Sequence, residues 1–450
     1  MNKTSFFDGH EVVNHICAGI DVHRDKVNVT LAKSEGNQVR FYYDVFWTIK
    51  SSLEQMLAWL ISNGCTVVGM ESTGKFWRPV FNVLEGRIPV YLYNARHMKN
   101  IPGKKTDKKD SHWIAKVTRY EFIGHSFIPD SLTRATRDFV RYRKSLVENR
   151  TRVRQQIHDI LTSCGIRIAV YMSDIFGVSG RFLLKGIACN WPFSKGMLES
   201  NLHPPINKKV DVILEALDGF VKDSDRTSLI MHLSEEKRLC ASIATIEDKL
   251  EEMVICSHER EEIINRLIEI PGFSRKSAIL LVGEIGIDLS SFPDHKHFAS
   301  WCGLAPGKKE SAGKNLSGRI KVRQHYLRSL LVEVAFASTR CKDTYFNSKF
   351  FELKRRKSTQ KSVIAIARKL SIAIYMIINK RMNFKELTAE YIPIEAQARD
   401  LRNIQRLAKK IGKEATLSIL EQLFDTQDPN QPEDKTLTDN LISKDSEDHD

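Results

Sequence analysis

The chain has 450 residues, a length that suggests two or three domains. Hydrophobic residues make up 42% and aromatics 9%, enough to build ordinary cores, which excludes a wholly disordered chain. The 69 Lys and Arg against 55 Asp and Glu give a net charge of +14, which favours a polyanion partner, either nucleic acid or an anionic membrane surface. No run of 18 apolar residues is free of charge, so no membrane-spanning helix is expected. The N-terminus lacks the basic-then-apolar secretory pattern. The 8 cysteines are scattered without a CxxC pair, so neither a zinc knuckle nor a disulfide framework is indicated, and a reducing cytosol is expected. Residues 426 to 450 carry eight acidic residues against Lys435 and Lys444, so the body ahead of them is more basic still. That polar tail reads as disordered.

Residues 15 to 32, HICAGIDVHRDKVNVTLA, read as two extended stretches or one interrupted strand, through Ile20, Val22, Val27, Val29 and Leu31. Glu35, Gly36 and Asn37 make a turn, and 38 to 46 make another strand. Leu53, Leu57 and Leu60 give residues 51 to 63 a helical period. A short apolar strand, Thr66 to Met70, ends at Glu71. Residues 75 to 86 predict a helix, Pro89 to Tyr93 a strand, and 108 to 121 a helix after a basic loop. Strands followed by alternating strands and helices predict an α/β domain with a mixed sheet and helices packed on it.

Residues 132 to 164 predict one long polar helix. Its narrow apolar stripe (Leu132, Phe139, Leu146, Val153, Ile157 and Leu161) suits a coiled coil or an exposed connector. Arginines and Lys144 cover much of the rest. Residues 165 to 207 carry no clear pattern. Residues 208 to 265 predict further helices, including a charged one over 241 to 268. Residues 266 to 340 read as a compact unit, and 358 to 380 as a last well-patterned helix.

Asp21 lies in the first strand region, Glu71 ends a later strand, and Asp107 and Asp110 share one face at the start of a helix. Strand ends and a nearby helix N-terminus can bring four carboxylates together. Clustered carboxylates repel unless a cation sits between them, and hard divalent ions such as Mg²⁺ prefer this oxygen-only set. Two such ions about 4 Å apart can stabilise both the attacking and the leaving oxygen of a phosphodiester. Each residue also has a plainer reading: a strand-edge Asp, or a helix cap at Asp107. Lys104, Lys105, Lys108 and Lys109 flank Asp107 and could hold a backbone phosphate, or be solvated surface lysines. His23, His97 and His112 have no ligand-spaced partner and read as supporting or surface residues.

Residues 266 to 286, RLIEIPGFSRKSAILLVGEIG, place two apolar helical stretches around a tight turn. This suits either a helix-hairpin-helix, whose turn amides contact a phosphate, or a plain helical hairpin. Gly272 supplies the permissive turn position, and Ser274 stands where such hairpins usually carry a second glycine. In WCGLAPGKKESAGKNLSGRIKVRQHYLR, residues 301 to 328, Ser311 sits among Lys308, Lys309 and Lys314, with Ser317 as a competing candidate. A serine hydroxyl needs a base, a metal or positive potential to act as a nucleophile. Either serine also reads as a turn residue. Arg319, Lys321, Arg323 and Arg328 follow as a backbone-binding arm or as solvated charge.

Together these stretches resemble the transposases of the IS110-type bacterial insertion sequences. GIDVHRDK, GMESTGKFW and KKTDKKDSHWIAK place the family's DEDD set at Asp21, Glu71, Asp107 and Asp110. The segments from IPGFSRKSAILLVGEIG to the RQHYLR run resemble the C-terminal transposase domain, and Ser311 matches the family's serine nucleophile. The sequence departs from the family at Phe273 and Ser274, in the ESAG serine loop, and in RQHYLR, which lacks the family's glycine-asparagine pair.

The resemblance implies an α/β, RuvC/RNase H-like mixed sheet with flanking helices over 15–130. It also implies a helical coiled-coil connector over 131–262 and a mainly helical C-terminal transposase domain over 263–385; beyond these the residues themselves read as a poorly ordered tail over 386–450, acidic at its end. It implies a DNA transposase/recombinase that binds Mg²⁺ on the carboxylates, attacks phosphodiesters through Ser311 and forms a phosphoserine link. The partners it implies are DNA at the element ends and target, a structured guide RNA, and further copies of the chain in a dimer or tetramer, with the two domains contributing to composite sites. The location it implies is the bacterial cytoplasm, nucleoid-associated when acting, with no membrane. The carboxylates alone would also suit a metal-dependent nuclease using water, and the charge alone a non-catalytic nucleic-acid-binding protein.

Overall fold

The computed structural model describes residues 10–36, 38–72, 74–94, 98, 107–305, 309–311, 314–317 and 326–384, with the side chains of 107–109, 309–311 and 314–317 excluded. The tail read over 386–450 lies outside the described residues. Two compact units emerge, Met1–Arg134 and Ala135–Asp450.

In the first unit the stretch read as two strands or one is a hairpin. β1 (Ile16–Val22) pairs antiparallel with β2 (Lys26–Glu35), which pairs antiparallel with β3 (Gln38–Trp47). Gly36 takes φ +58° in the β2–β3 turn, a conformation that favours glycine. After α1 (Lys50–Ser62), β4 (Val67–Glu71) pairs parallel to β1. After α2 (Trp77–Leu84), β5 (Val90–Tyr93) pairs parallel to β4. The sheet order is β3-β2-β1-β4-β5. An antiparallel three-stranded meander extended by two parallel strands is the RNase H-like arrangement that RuvC-type proteins share.

Strand alternation sends Ala18, Ile20 and Val22 to one face, where they meet Leu53, Met56, Leu57 and Leu60 of α1 and Val80 and Leu84 of α2. Cys17, Gly19 and Asp21 therefore point to the other face. That face is covered by α3 (Asp107–Tyr120), where Cys17, Ala32 and Val67 pack with Ala115. Both faces of β1 and β4 are covered, which explains why these strands read as almost continuous apolar runs.

The second unit is mainly helical. α4 (Ser131–Ser163) and α10 (Asp223–Val254) run antiparallel, a direction fixed by the ion pairs Arg143–Glu247 and Arg154–Glu236. Leu146 of α4 meets Leu239 and Ile243 of α10 in a thin apolar seam. Between them, the stretch without a sequence pattern folds as α5 (Ile168–Tyr171), α6 (Val178–Ala188), α7 (Lys195–Asn201) and α8 (Pro204–Asn207), and α9 (Val210–Ala216) opens the region where helices are predicted; together they close over Ile157, Leu161 and Leu229. These helices are too short for a period to show.

The charged helix expected over 241 to 268 is broken. α10 ends at Val254 and α11 (His258–Ile268) starts anew, with the Ser257 hydroxyl capping the amide of Arg260. Ser followed by acidic residues in the next turn is a helix-start signal, and it overrides the continuing charge pattern. α12 (Arg275–Ile285), α13 (His295–Trp301), the small hairpin β6 (Lys309–Ser311) and β7 (Lys314–Ser317), α14 (Tyr326–Ser338), α15 (Tyr345–Lys354) and α16 (Thr359–Lys380) follow. α16 is long and apolar enough to cross a bilayer, yet Ile366, Leu370, Ile374 and Ile377 are buried in the core with α11, α12 and α14. It is the central helix of this unit's core.

Candidate active site

Helix α3 lies unusually close to the sheet. Gly19 and Gly69 are register partners of β1 and β4 and both face α3. A Cβ on Gly19 would stand 2.1 Å from the backbone nitrogen of Ala115, and one on Gly69 1.9 Å from Thr118 Oγ1. Glycine within a strand marks such a close approach. Thr30 Oγ1 and Ser111 Oγ share a 2.7 Å hydrogen bond, and the Cys17 thiol reaches the Ala115 carbonyl, so the helix is also fixed along the strands.

This docking sets the carboxylates. Asp21 follows Gly19 by two residues on the same face, and Asp110 lies on α3 just ahead of Ser111. The two side chains are close enough for the charge of Asp110 to raise the Asp21 pKa. Burial is the largest cause of that rise, while His23 and a hydrogen bond from Asn28 oppose it. Ile20 pairs with Met70 in the parallel ladder, so Glu71 follows alongside Asp21 at the strand ends. Asp107 occupies the first turn of α3, but its side chain lies outside the described residues.

Among the described residues, no three His, Cys, Asp or Glu side chains gather closely enough to hold a metal ion. The donor chemistry still fits a hard cation. His23 Nε2 stands 2.9 Å from Asp21 Oδ2 as an ion-pair contact, but that oxygen is shut away from solvent and has no aligned hydrogen-bond donor. A carboxylate oxygen shut away from solvent and faced only by a half-exposed imidazole, with a second carboxylate nearby, is an arrangement that a cation would relieve. His23 thus touches the acidic set directly. His112 instead packs its ring on Phe41 at 4.0 Å, and burial with the nearby Lys116 charge lowers its pKa. His97 lies outside the described residues.

Lys104, Lys105, Lys308, Arg319, Lys321 and Arg323 lie outside the described residues. Lys108 and Lys109 belong to α3, and Lys309 and Lys314 to the β6–β7 hairpin, with their side chains undescribed. Arg328 is half-buried on α14. Ser311 is the last residue of β6, opposite Lys314 in the ladder, and Ser317 ends β7 opposite Lys309.

The hairpin turn between α11 and α12 has Gly272 at φ +84°, where a Cβ would come within 2.5 Å of the Ser338 backbone nitrogen. Ser274 is the N-cap of α12: its hydroxyl accepts from the Ser277 amide at 3.1 Å. Serine therefore does the work of ending the turn where a second glycine was expected. Arg275 pairs with Glu251 and Glu261, and Lys276 with Glu247, so neighbouring acids already engage both cations at the start of α12. Four arginines of α4 are similarly occupied. Arg137 and Arg141 reach Glu284, Arg143 reaches Glu247, and Arg154 reaches Glu236. Their role is to join helices, which a count of basic residues does not reveal.

Comparison with known proteins places this RNase H-like sheet and helical unit in one class, the transposases. A DEDD transposase model of the IS110 type matches residues 18–166, and a model described as the transposase IS116/IS110/IS902 family matches residues 264–350. The chain belongs to the IS110/IS116/IS902 family of transposases. It is also similar to the pilin gene-inverting proteins of Moraxella bovis and Moraxella lacunata, each 30% identical over 174 residues. That alignment covers 38% of this chain and 51% of each relative, so the chain spans about half the length of the curated relatives it matches.

Proposed function

We propose that the protein is a DNA recombinase that cuts and rejoins strands by serine attack assisted by Mg²⁺. The observation that supports this reading is that Asp110 lies near enough to Asp21, at the C-terminal end of β1, for its charge to raise the Asp21 pKa, on an RNase H-like sheet in a chain of this transposase family. Asp21, Glu71, Asp107 and Asp110 would hold Mg²⁺, which when bound supplies positive charge for the oxygens of a scissile phosphate. Ser311 Oγ bonds to phosphorus as its proton leaves. The bond to the departing strand breaks, and that strand end is released as a hydroxyl. A DNA hydroxyl then attacks the phosphoserine, restores a phosphodiester and frees the serine. Lys104, Lys105, Lys108, Lys109, Lys308, Lys309, Lys314, Arg319, Lys321, Arg323 and Arg328 serve as phosphate contacts in this reading, which the net charge of +14 supports.

The name of the pilin gene-inverting relatives describes inversion of a gene, a rearrangement that requires strand exchange. Guidance by a structured RNA and assembly into a dimer or tetramer belong to the same proposal and rest on the family resemblance.

The test incubates the full-length protein, Mg²⁺ and plasmids carrying the element ends and target, with the RNA encoded at those ends. Denaturation and mass spectrometry then locate any DNA-linked residue. An adduct on Ser311, lost in Ser311→Ala and in Asp21→Asn, is expected. Cleavage without an adduct in Ser311→Ala would establish hydrolysis by water instead. Binding without cleavage would establish a non-catalytic protein.

A further inference from the structure

Asn28 is the cross-strand partner of Asp21 in the β1–β2 ladder, and its side chain faces α3 with only 3% of the residue exposed. A primary amide has two ends of opposite sign. The NH₂ end attracts a carboxylate and the carbonyl end repels it, so the sense of the amide decides whether Asn28 helps or hinders Asp21. The two neighbours fix that sense together, because the Asp21 carboxylate can only accept while the Tyr43 hydroxyl can donate. On β3, two residues from the position opposite Asn28, the Tyr43 hydroxyl donates to Asn28 Oδ1 at 3.1 Å. With Oδ1 taken by Tyr43, Nδ2 is the end left to hydrogen-bond Asp21, and the Asn28 side chain favours the charged carboxylate. Tyr43 is 41% exposed on the edge strand, so the chain of contacts runs from open surface to the half-buried acid.

We propose that Asn28 and Tyr43 are a positioning pair for Asp21: the Tyr43 hydroxyl fixes the Asn28 amide, and that amide holds the carboxylate in the orientation in which it and Asp110 share a divalent cation. The inference rests on the metal-binding reading of the acidic set. Neither residue touches the cation or the DNA. Groups that orient a metal's ligands typically contribute about 10- to 100-fold to its affinity.

The experiment measures Mn²⁺ binding to the full-length protein without nucleic acid, by electron paramagnetic resonance of free Mn²⁺. The proteins are wild type, Tyr43→Phe, Asn28→Leu, the double variant and Asp21→Asn, with thermal melts alongside. Tyr43→Phe, a change on an exposed ring, should weaken binding about 3- to 10-fold, and Asn28→Leu about 10- to 100-fold. The double variant should be no weaker than Asn28→Leu alone, because the proposal routes the effect of Tyr43 on Asp21 through the Asn28 amide. Wild-type affinity in Tyr43→Phe, or additive losses in the double variant, would overturn the pair even if Asn28→Leu fails to fold. Asp21→Asn separates the two levels. Binding that survives it removes both the metal reading and this inference, whereas binding lost there but unchanged in Tyr43→Phe and Asn28→Leu removes only the positioning pair.

Discussion

Gly19 and Gly69 face each other across the parallel β1–β4 ladder, and both press against helix α3. The obstacles differ. At Gly19 the missing side chain would meet the backbone of Ala115, Ser111 and Ile114, while at Gly69 it would meet mainly the side chains of Thr118 and Tyr93. Backbone can yield only by moving the whole helix. Gly19→Ala should therefore destabilise the first unit by about 3 kcal/mol, the upper end of ordinary overpacking, and carry Asp110 away from Asp21. Gly69→Ala should cost less and be partly rescued by Thr118→Ala, which removes the closest atom. Urea melts of the four variants check this, and equal rescue of Gly19→Ala by Thr118→Ala would contradict it.

Replacing Asp110 tests the electrostatic link directly. Burial and then the charge of Asp110 raise the Asp21 pKa, so Asp110→Asn should bring it down, read from carboxyl carbon shifts in a titration without divalent ions. The sign for stability follows. A carboxylate raised by folding contributes stability below its ordinary value of 3.8, and that contribution is lost as pH rises through the folded value. Without a cation, wild-type Asp21 works against the fold at neutral pH. Added Mg²⁺ should then raise the melting temperature at neutral pH, where Asp21 is otherwise destabilising, and the gain should shrink as pH falls through the folded value of Asp21, with Asp110→Asn abolishing most of it.

Strands β1 and β4 are legible because burial on both faces writes itself as apolar runs, and Asp21 and Glu71 stand out as the acids at their ends. The closeness of α3 was not read, although Gly19 and Gly69 inside strands carried the signal. Asn28 and Tyr43 gave none, because a buried amide and a strand tyrosine look like ordinary β residues until the register pairs them. On α4 the stripe of Leu146, Val153 and Ile157 was readable, but the partners of its arginines were not. Glu236, Glu247 and Glu284 lie about 80 to 150 residues away, and periodicity carries no information at that distance.

Two residues of the helical hairpin turn should respond differently to alanine. Ser274→Ala removes one N-cap hydrogen bond and should cost about 1 kcal/mol. Gly272→Ala combines a left-handed backbone at φ +84° with a Cβ 2.5 Å from Ser338 N, and should cost about 3 kcal/mol or more. Calorimetric melts separate the two, and a Gly272→Ala protein as stable as Ser274→Ala would refute the close approach.

Glu236 and Glu284 are both fully buried, and two arginines reach each, yet their pKa values move in opposite directions. Burial raises Glu284 more than Arg141 and Arg137 lower it. For Glu236 burial also works upward, but hydrogen bonds from Arg181, Arg154 and Cys240 outweigh it. Glu236 therefore contributes stability above its ordinary value of 4.5, lost as pH falls through its lower folded value. Glu284 contributes only below 4.5, and that is lost as pH rises through its raised folded value. Glu236→Gln, which breaks a buried ionised pair, should cost about 3 kcal/mol at pH 7. Glu284→Gln resembles the neutral acid that its site favours and should cost about 1 kcal/mol. On acidification the wild type should lose its advantage over Glu236→Gln and gain on Glu284→Gln. Denaturant melts from pH 7 to pH 3 give both slopes, and slopes of the same sign would show that the two arginine clamps are electrostatically alike.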